Sequence, residues 1–273
     1  MNRNAALFML LAVLGCGDSG TDPTDVTYGQ TTFVVLPNPI VNDDNQVAVP
    51  TPGTTRSGVT VSVAGGPSGT TDANGVVVLS PITSGAKTLT LSGGGATGEV
   101  SVGIADKELL EVAVALSGTT AQVMGNVNYA FGGTVVEITP SMSLADVNAA
   151  LAQSNQIVFF KAGTYTGDLT FSGSNVTLFG EGSQGGSVTL NGNVTVGGSQ
   201  NRIRGARITG NLSVPGSNFG MSFTRVVGTF QLDGSGATLL NNGFCSTVTI
   251  NGSGRTLLGN AGMAPIDPPA AGC

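Results

Sequence analysis

Three sets of residues in this 273-residue chain are of types that can do chemistry. The first is the cysteines Cys16, Cys245 and Cys273. The second is a group of arginines in the C-terminal half: Arg202, Arg204, Arg207 and Arg225. The third is the acids between positions 157 and 263: Asp168, Glu181 and Asp233. A thiol can carry a lipid or close a disulfide. Arginine forks onto anionic groups such as carboxylates. Two facing carboxyls can hydrolyse a glycosidic bond. Histidine is absent, which removes every Ser/His/Asp or Cys/His nucleophilic device and every His-ligated metal site.

The position of Cys16 is set by what precedes it. The chain starts MNRNAALFMLLAVLGC, with Arg3 ahead of ten apolar residues from Ala5 to Leu14. That run has the length of a signal-peptide core and falls short of the roughly 20 residues a spanning helix needs. Val13-Leu14-Gly15-Cys16 resembles the lipobox of bacterial lipoproteins. The resemblance implies a signal peptide over 1–15 and lipidation of Cys16. The partner is then a membrane, held through acyl chains that contribute about 0.8 kcal/mol per buried methylene. Gly17, where an Asp would signal inner-membrane retention, implies the outer membrane or cell surface within the cell envelope. Residues 16–26 are the lipidated cysteine and a polar, acidic, flexible tether. In an exported chain Cys245 and Cys273 can pair, with two free thiols as the alternative.

Composition selects the elements. Glycine numbers 43, hydrophobic residues make up 40% and charged residues only 10%. Such a chain buries a core and is too uncharged for disorder, and its Gly, Thr and Val favour short strands with tight turns. The expectation is an all-β protein. In 27–117, period-two alternation runs through Val59, Val61 and Val63 and again through Leu89 and Leu91. The stretch VTVSVAGGPSGTTDANGVVVLSPITSGAKTLTLSGG, with its Thr71-Asp72-Ala73-Asn74-Gly75 turn, resembles the carboxypeptidase-regulatory-like, or transthyretin-like, β-sandwich modules of bacterial surface proteins. Asp72 is read there as a turn former rather than a calcium ligand, because no carboxylates cluster beside it. The resemblance implies an antiparallel spacer or interaction domain. Residues 118–139 are read as a linker.

A repeat organises the rest. GDLTFSGS, GNVTVGGS, GNLSVPGS, GTFQLDGS and STVTINGS begin at 167, 192, 210, 228 and 246, so the spacings are 25, 18, 18 and 18. Seven extra residues, EGSQGGS at 181–187, account for the 25. Apolar columns keep the same register: Leu178, Ile203, Met221, Leu239, Leu257, and Tyr165, Leu190, Ile208, Val226, Phe244. A period of 18 residues suits one turn of a β-solenoid. Five turns at the spacing of parallel strands span about 24 Å. Leu169 and Phe171 and their equivalents point inward, while Thr170, Thr195 and Thr249 point outward. The columns Asn175, Gln200 and Asn218 are read as structural amide stacks at turns. Ser143 can cap a helix whose Leu144, Val147 and Leu151 share a face. This helix, followed by QIVFFKAGTYTGDLTFSGSNVTLFGEG, resembles the capped start of the pectate-lyase-like right-handed parallel β-helix superfamily. The resemblance covers 140–263, capping helix included, and leaves 264–273 as a C-terminal tail.

That superfamily holds pectate lyases, polygalacturonases and non-enzymatic adhesins. Asp168, Glu181 and Asp233 occupy unrelated repeat positions, so no two adjacent turns stack carboxylates as a hydrolase or a calcium-dependent lyase requires. No catalytic residue, cofactor or metal is assigned. Residues 156–273 carry six basic and four acidic residues, whereas 17–155 carry three and twelve. This asymmetry points to Arg202, Arg204, Arg207 and Arg225 as candidate anionic-glycan ligands. Nucleic acid is not expected for an acidic exported chain. The function read from sequence is a membrane-anchored, non-catalytic structural or polysaccharide-binding surface protein. The alternative is a polysaccharide lyase or glycoside hydrolase of the same fold.

Overall fold

The structure, a computed structural model, describes residues 32–37 (backbone only), 57–72, 75–105, 108–130, 134–181, 187–258, 260–262 and 273. Among the described residues the protein is all-β apart from one short helix. A unit of two packed sheets is followed by a parallel β-solenoid.

The first unit contains β1 (Thr32–Pro37), β2 (Thr60–Val63), β3 (Ser68–Thr70), β4 (Val77–Leu79), β5 (Gly85–Gly93), β6 (Ala96–Ile104), β7 (Glu108–Ser117) and β8 (Thr120–Ala130). They form two four-stranded sheets, in the orders β4-β1-β7-β8 and β3-β2-β5-β6. Pairing is antiparallel throughout except between β1 and β7, which run parallel. Val61, Leu89 and Leu91 of one sheet meet Leu79, Leu110, Val112 and Val114 of the other in a single apolar layer. The Asp72 turn works as its residue types require. The Asp72 carboxylate accepts from the Val76 amide at 2.9 Å, and Gly75 takes φ +76°.

Residues 118–139 are not a linker. They supply β8 and then β9 (Thr134–Ile138). Both are strands for a physical reason. Val127 and Tyr129 alternate on one side of β8 and are buried against the solenoid, and β9 pairs in parallel with the strand that follows the helix. The solenoid therefore begins one rung before the helix, and about seven turns stack rather than five.

Three walls enclose the solenoid core. The first wall is β9, β10 (Gln156–Phe160), β13 (Thr177–Gly180), β16 (Arg202–Arg204), β19 (Gly220–Ser222), β22 (Thr238–Leu240) and β25 (Thr256–Leu258). The second is β11 (Gly163–Thr166), β14 (Val188–Asn191), β17 (Ala206–Ile208), β20 (Arg225–Val226) and β23 (Gly243–Phe244). The third is β12 (Leu169–Phe171), β15 (Val194–Val196), β18 (Leu212–Val214), β21 (Phe230–Leu232) and β24 (Val248–Ile250). The columns read from the 18-residue period are the observed register. Leu178, Ile203, Met221, Leu239 and Leu257 pair in sequence, as do Tyr165, Leu190, Ile208, Val226 and Phe244, and all line the core. The extra residues of the longest repeat fall between β13 and β14.

Corners are built from side chains that bond along the axis. Asp168, Asn193 and Asn211 each accept the backbone amide one rung further on, at 2.8, 3.0 and 2.9 Å. Asn175, Gln200 and Asn218 take φ +56°, +60° and +56°, a left-handed bend that amide residues tolerate better than most. Gly198, Gly216, Gly234 and Gly252 form a column in which any Cβ would collide with the carbonyl of the preceding rung. That contact is why each repeat ends in Gly-Ser.

α1 (Leu144–Ala152) follows β9 and closes the start of the third wall. The Ser143 hydroxyl accepts from the Asp146 amide at 3.2 Å as its N-cap. Val147 and Leu151 enter the solenoid core. Asn148 donates to the Asp168 carbonyl at 3.1 Å and accepts from the Thr170 amide at 2.8 Å, satisfying the edge of β12.

Candidate functional site

The functional candidates separate according to which wall they occupy. β7, with the sequence ELLEVAVALS, is buried on both sides. Leu110, Val112 and Val114 face the sandwich core, whereas Leu109 and Ala113 face the solenoid. Together with Val127 and Tyr129 they cover the outward side of the first wall, against Ile157, Phe179, Leu240 and Leu258. A second apolar core thus joins the two units.

Glu111 and Arg204 lie inside that junction. Arg204 Nε donates to Glu111 Oε1 at 2.7 Å, and their side chains are 2% and 0% exposed. The guanidinium lies between the rings of Phe179 and Phe223, 5.0 and 5.2 Å from their centroids. Phe223 holds φ +47°, an uncommon bend for an aromatic residue, which puts its ring at the junction. Tyr129 and Ser222 share a hydroxyl–hydroxyl hydrogen bond beside the pair. Burial pushes the Glu111 carboxyl above its ordinary value, while the Arg204 charge and the Ser222 hydroxyl oppose that rise. Glu111 Oε2 and Arg204 Nη1 make no hydrogen bond among the described residues. The pair is a buried lock between units, not a surface feature.

The structure divides the four arginines singled out in the sequence: Arg207 and Arg225 stack one repeat apart, as their spacing requires, and Arg202 and Arg204 lie elsewhere. Arg202 and Arg204 belong to the first wall, and Arg207 and Arg225 to the second. Gly205, at φ +71°, turns the corner between them, so nearness in sequence does not become nearness on one surface. Arg204 is sealed from any glycan. Arg207 and Arg225 are register partners on adjacent rungs and are half-buried.

Arg202 sits at the rim of the junction. Its Nη1 donates to Asn175 Oδ1 at 3.2 Å and to the Gln200 carbonyl at 2.8 Å, and its Nη2 donates to Asn128 Oδ1 of β8 at 3.1 Å. A cavity of about 270 Å³ opens beside it, lined by Asn128, Asn155, Gln156, Ile157, Asn175, Thr177 and Arg202. Of the amides in this cleft, the sequence pattern singles out only Asn175, as a member of the structural stacks at turns. Asn128 carries no such signal, because it lies in 118–139, which reads as a linker. A sequence signal for the junction did exist: a lone Glu inside LLEVAVAL, an apolar run too continuous for a strand wet on one face.

The three acids are occupied separately. Asp168 Oδ1 accepts from the Asn193 amide at 2.8 Å. Asp233 accepts from Gln231 and Asn251, both at 2.7 Å. Glu181 pairs with Lys161 at 2.6 Å and accepts from the Ala162 amide at 2.7 Å, and that amide is the main cause holding its carboxyl below the ordinary value. Asp168 adjoins β12 and Asp233 adjoins β21, three rungs later, which is about 14 Å along the axis. That exceeds the roughly 5–9.5 Å of glycosidase carboxyl pairs. Cys245 and Cys273 form a disulfide with Cα atoms 5.4 Å apart. Cys16 and the segment 1–26 lie outside the described residues. Among the described residues no helix is long and apolar enough to cross a membrane.

Fold and site together define an all-β protein in which a two-sheet unit is locked onto one wall of a parallel β-solenoid. No protein-family model matches the chain, and neither the search of curated proteins nor that of solved structures finds a match.

Proposed function

We propose that the protein is a non-catalytic binding component of the cell envelope. It is anchored through a lipid on Cys16 after removal of residues 1–15, and it faces outward from the outer membrane or cell surface. The two-sheet unit acts as a spacer of the carboxypeptidase-regulatory-like kind, and the solenoid, of the right-handed pectate-lyase-like kind, meets polysaccharide. One observation carries this reading: the apolar junction with the Glu111–Arg204 lock at its centre. It makes spacer and solenoid one body, so that an anchored chain presents the remaining solenoid surface in a fixed orientation.

Two experiments test it. Cys16→Ala should release the protein from membranes and abolish palmitate labelling, and unchanged labelling overturns the anchor. The full-length protein, extracted in mild detergent, should bind acidic glycans on an array, with and without calcium, and release no sugar. Soluble sugar products overturn the non-catalytic assignment, and an array without a bound glycan overturns the binding assignment.

A further inference from the structure

We infer that the cleft at the junction of the two units, built on Arg202, is the glycan subsite and takes a single acidic sugar residue of a polysaccharide chain. This rests on the polysaccharide-binding reading above and adds where the chain binds and which sugar it presents.

The cleft has the chemistry of such a site. Its lining comes from both units: Asn128 from the sandwich, and the rest from the solenoid. Four of its seven lining residues are amides, Asn128, Asn155, Gln156 and Asn175, and Thr177 adds a hydroxyl. Amides donate and accept at once, as sugar hydroxyls do, and part of that capacity is used within the protein: Asn175 Nδ2 donates to Asn155 Oδ1 at 3.0 Å, and Gln156 Nε2 donates to the Ala150 carbonyl. Among the described lining residues Arg202 alone is charged. The guanidinium is held by both units through the bonds to Asn175, Gln200 and Asn128, so its orientation is fixed before a ligand arrives. Of its five donors, three are used in those bonds. Nε–H and one Nη2–H are left for a carboxylate or a sulfate. Glu108 is a carboxylate whose charge reaches Arg202, but it is buried, it accepts from the Ala105 amide at 2.6 Å, and it does not line the cleft. The volume of about 270 Å³ lies below the roughly 300–1,000 Å³ of sites that enclose drug-sized ligands. One ring of a longer chain fits it better than a whole oligosaccharide. Arg207 and Arg225 lie on another wall and take no part.

The test titrates the full-length protein by calorimetry with three probes: an oligouronate, a sulfated oligosaccharide and a neutral oligosaccharide of the same length. Wild type should bind one of the acidic probes and discriminate against the neutral one, and the acidic arm that binds identifies the anion. Arg202→Gln should weaken that binding at least tenfold, and Asn128→Ala several-fold. The double variant Arg207→Gln/Arg225→Gln should bind like wild type. Thermal melts of each variant establish that it is folded, and Arg202→Lys, which keeps the charge but loses the fork, replaces Arg202→Gln if that variant is not. Acidic-probe binding that survives Arg202→Gln and Asn128→Ala in folded protein, or that is lost in the Arg207/Arg225 variant, overturns the cleft and leaves the polysaccharide reading intact. Wild type that binds none of the probes removes both.

Discussion

The first and third walls of the solenoid are built from the same repeat and end differently. Their inward columns are equivalent: Ile203, Met221 and Leu239 on one, Val194, Leu212 and Phe230 on the other, all in one core. Their outward columns are not. The third wall shows Thr170, Thr195, Gln231 and Thr249 to water. The first shows Phe179, Arg204, Ser222 and Leu240 to a second layer of protein, and all four are buried. The period fixes which side chains point out. What covers them is decided by a different part of the chain. The same outward-facing role is therefore close to neutral on one wall and structural on the other.

The largest effect should come from breaking what the walls share. Leu212→Asp puts an unpaired carboxylate into the core, at a cost of several kcal/mol. The variant should lose its cooperative thermal transition or express as aggregate. Thr195→Asp, on the exposed side of the neighbouring rung, should melt within about 0.5 kcal/mol of wild type. Equal melts for the two would mean that the inward and outward columns are exchanged.

The next effect belongs to the first wall alone. Glu111→Ala or Arg204→Ala each leaves a charge buried without its partner, and each should cost about 3–5 kcal/mol. The double variant Glu111→Leu/Arg204→Met removes both charges and should recover most of that loss. Chemical denaturation of the four proteins gives the coupling. Single variants as stable as wild type would place the pair in water and undo the contrast between the walls.

The inward columns could be read from sequence because they repeat: Leu178 and Tyr165 each begin a series kept at the period of the solenoid. The third wall could be read because its strands alternate. The first wall's outward column reads Phe179, Arg204, Ser222, Leu240, Leu258, a mixture with no pattern until its cover is known. Its cover, β7, lies 93 residues away at the Glu111–Arg204 pair and gives only an uninterrupted apolar run around Glu111. β9 was equally hidden, because TVVEI contributes one rung ahead of a helix and repeats nothing. Asn128 entered the cleft by the same long-range docking. Periodicity reports contacts between successive turns and is silent on contacts between units.

Where packing holds the first wall, a covalent bond holds the end of the second. Cys245 follows β23 and reaches Cys273 across a sequence separation of 28. Closing a loop of that size stabilises by about 3–4 kcal/mol in the chain-entropy model. Cys273→Ser should lower stability by up to that amount, and reduction of wild type should do the same. A variant without loss would show that the last rung is held by its own strand pairing.

The smallest effect sharpens the contrast at its simplest point, the two half-buried arginines of the second wall. Arg207 and Arg225 are register partners in parallel strands, about 4.8 Å apart along the axis. Like charges placed side by side on a sheet repel, on the order of 0.2–1 kcal/mol, and exposure to water keeps the figure near the lower end. Arg207→Thr restores the side-chain type of its neighbour Thr189 on β14 and removes the repulsion. The variant should be equal to or slightly more stable than wild type at low salt. The difference should shrink by about 1 M salt, where the screening length falls to roughly 3 Å. Arg204→Thr, three residues earlier on the first wall, should be strongly destabilising at every salt concentration, because its charge is buried against Glu111 rather than screened. Two arginines flanking one glycine corner would then respond to the same substitution with opposite signs. A matching loss in both variants would mean that the second wall, too, is covered by protein.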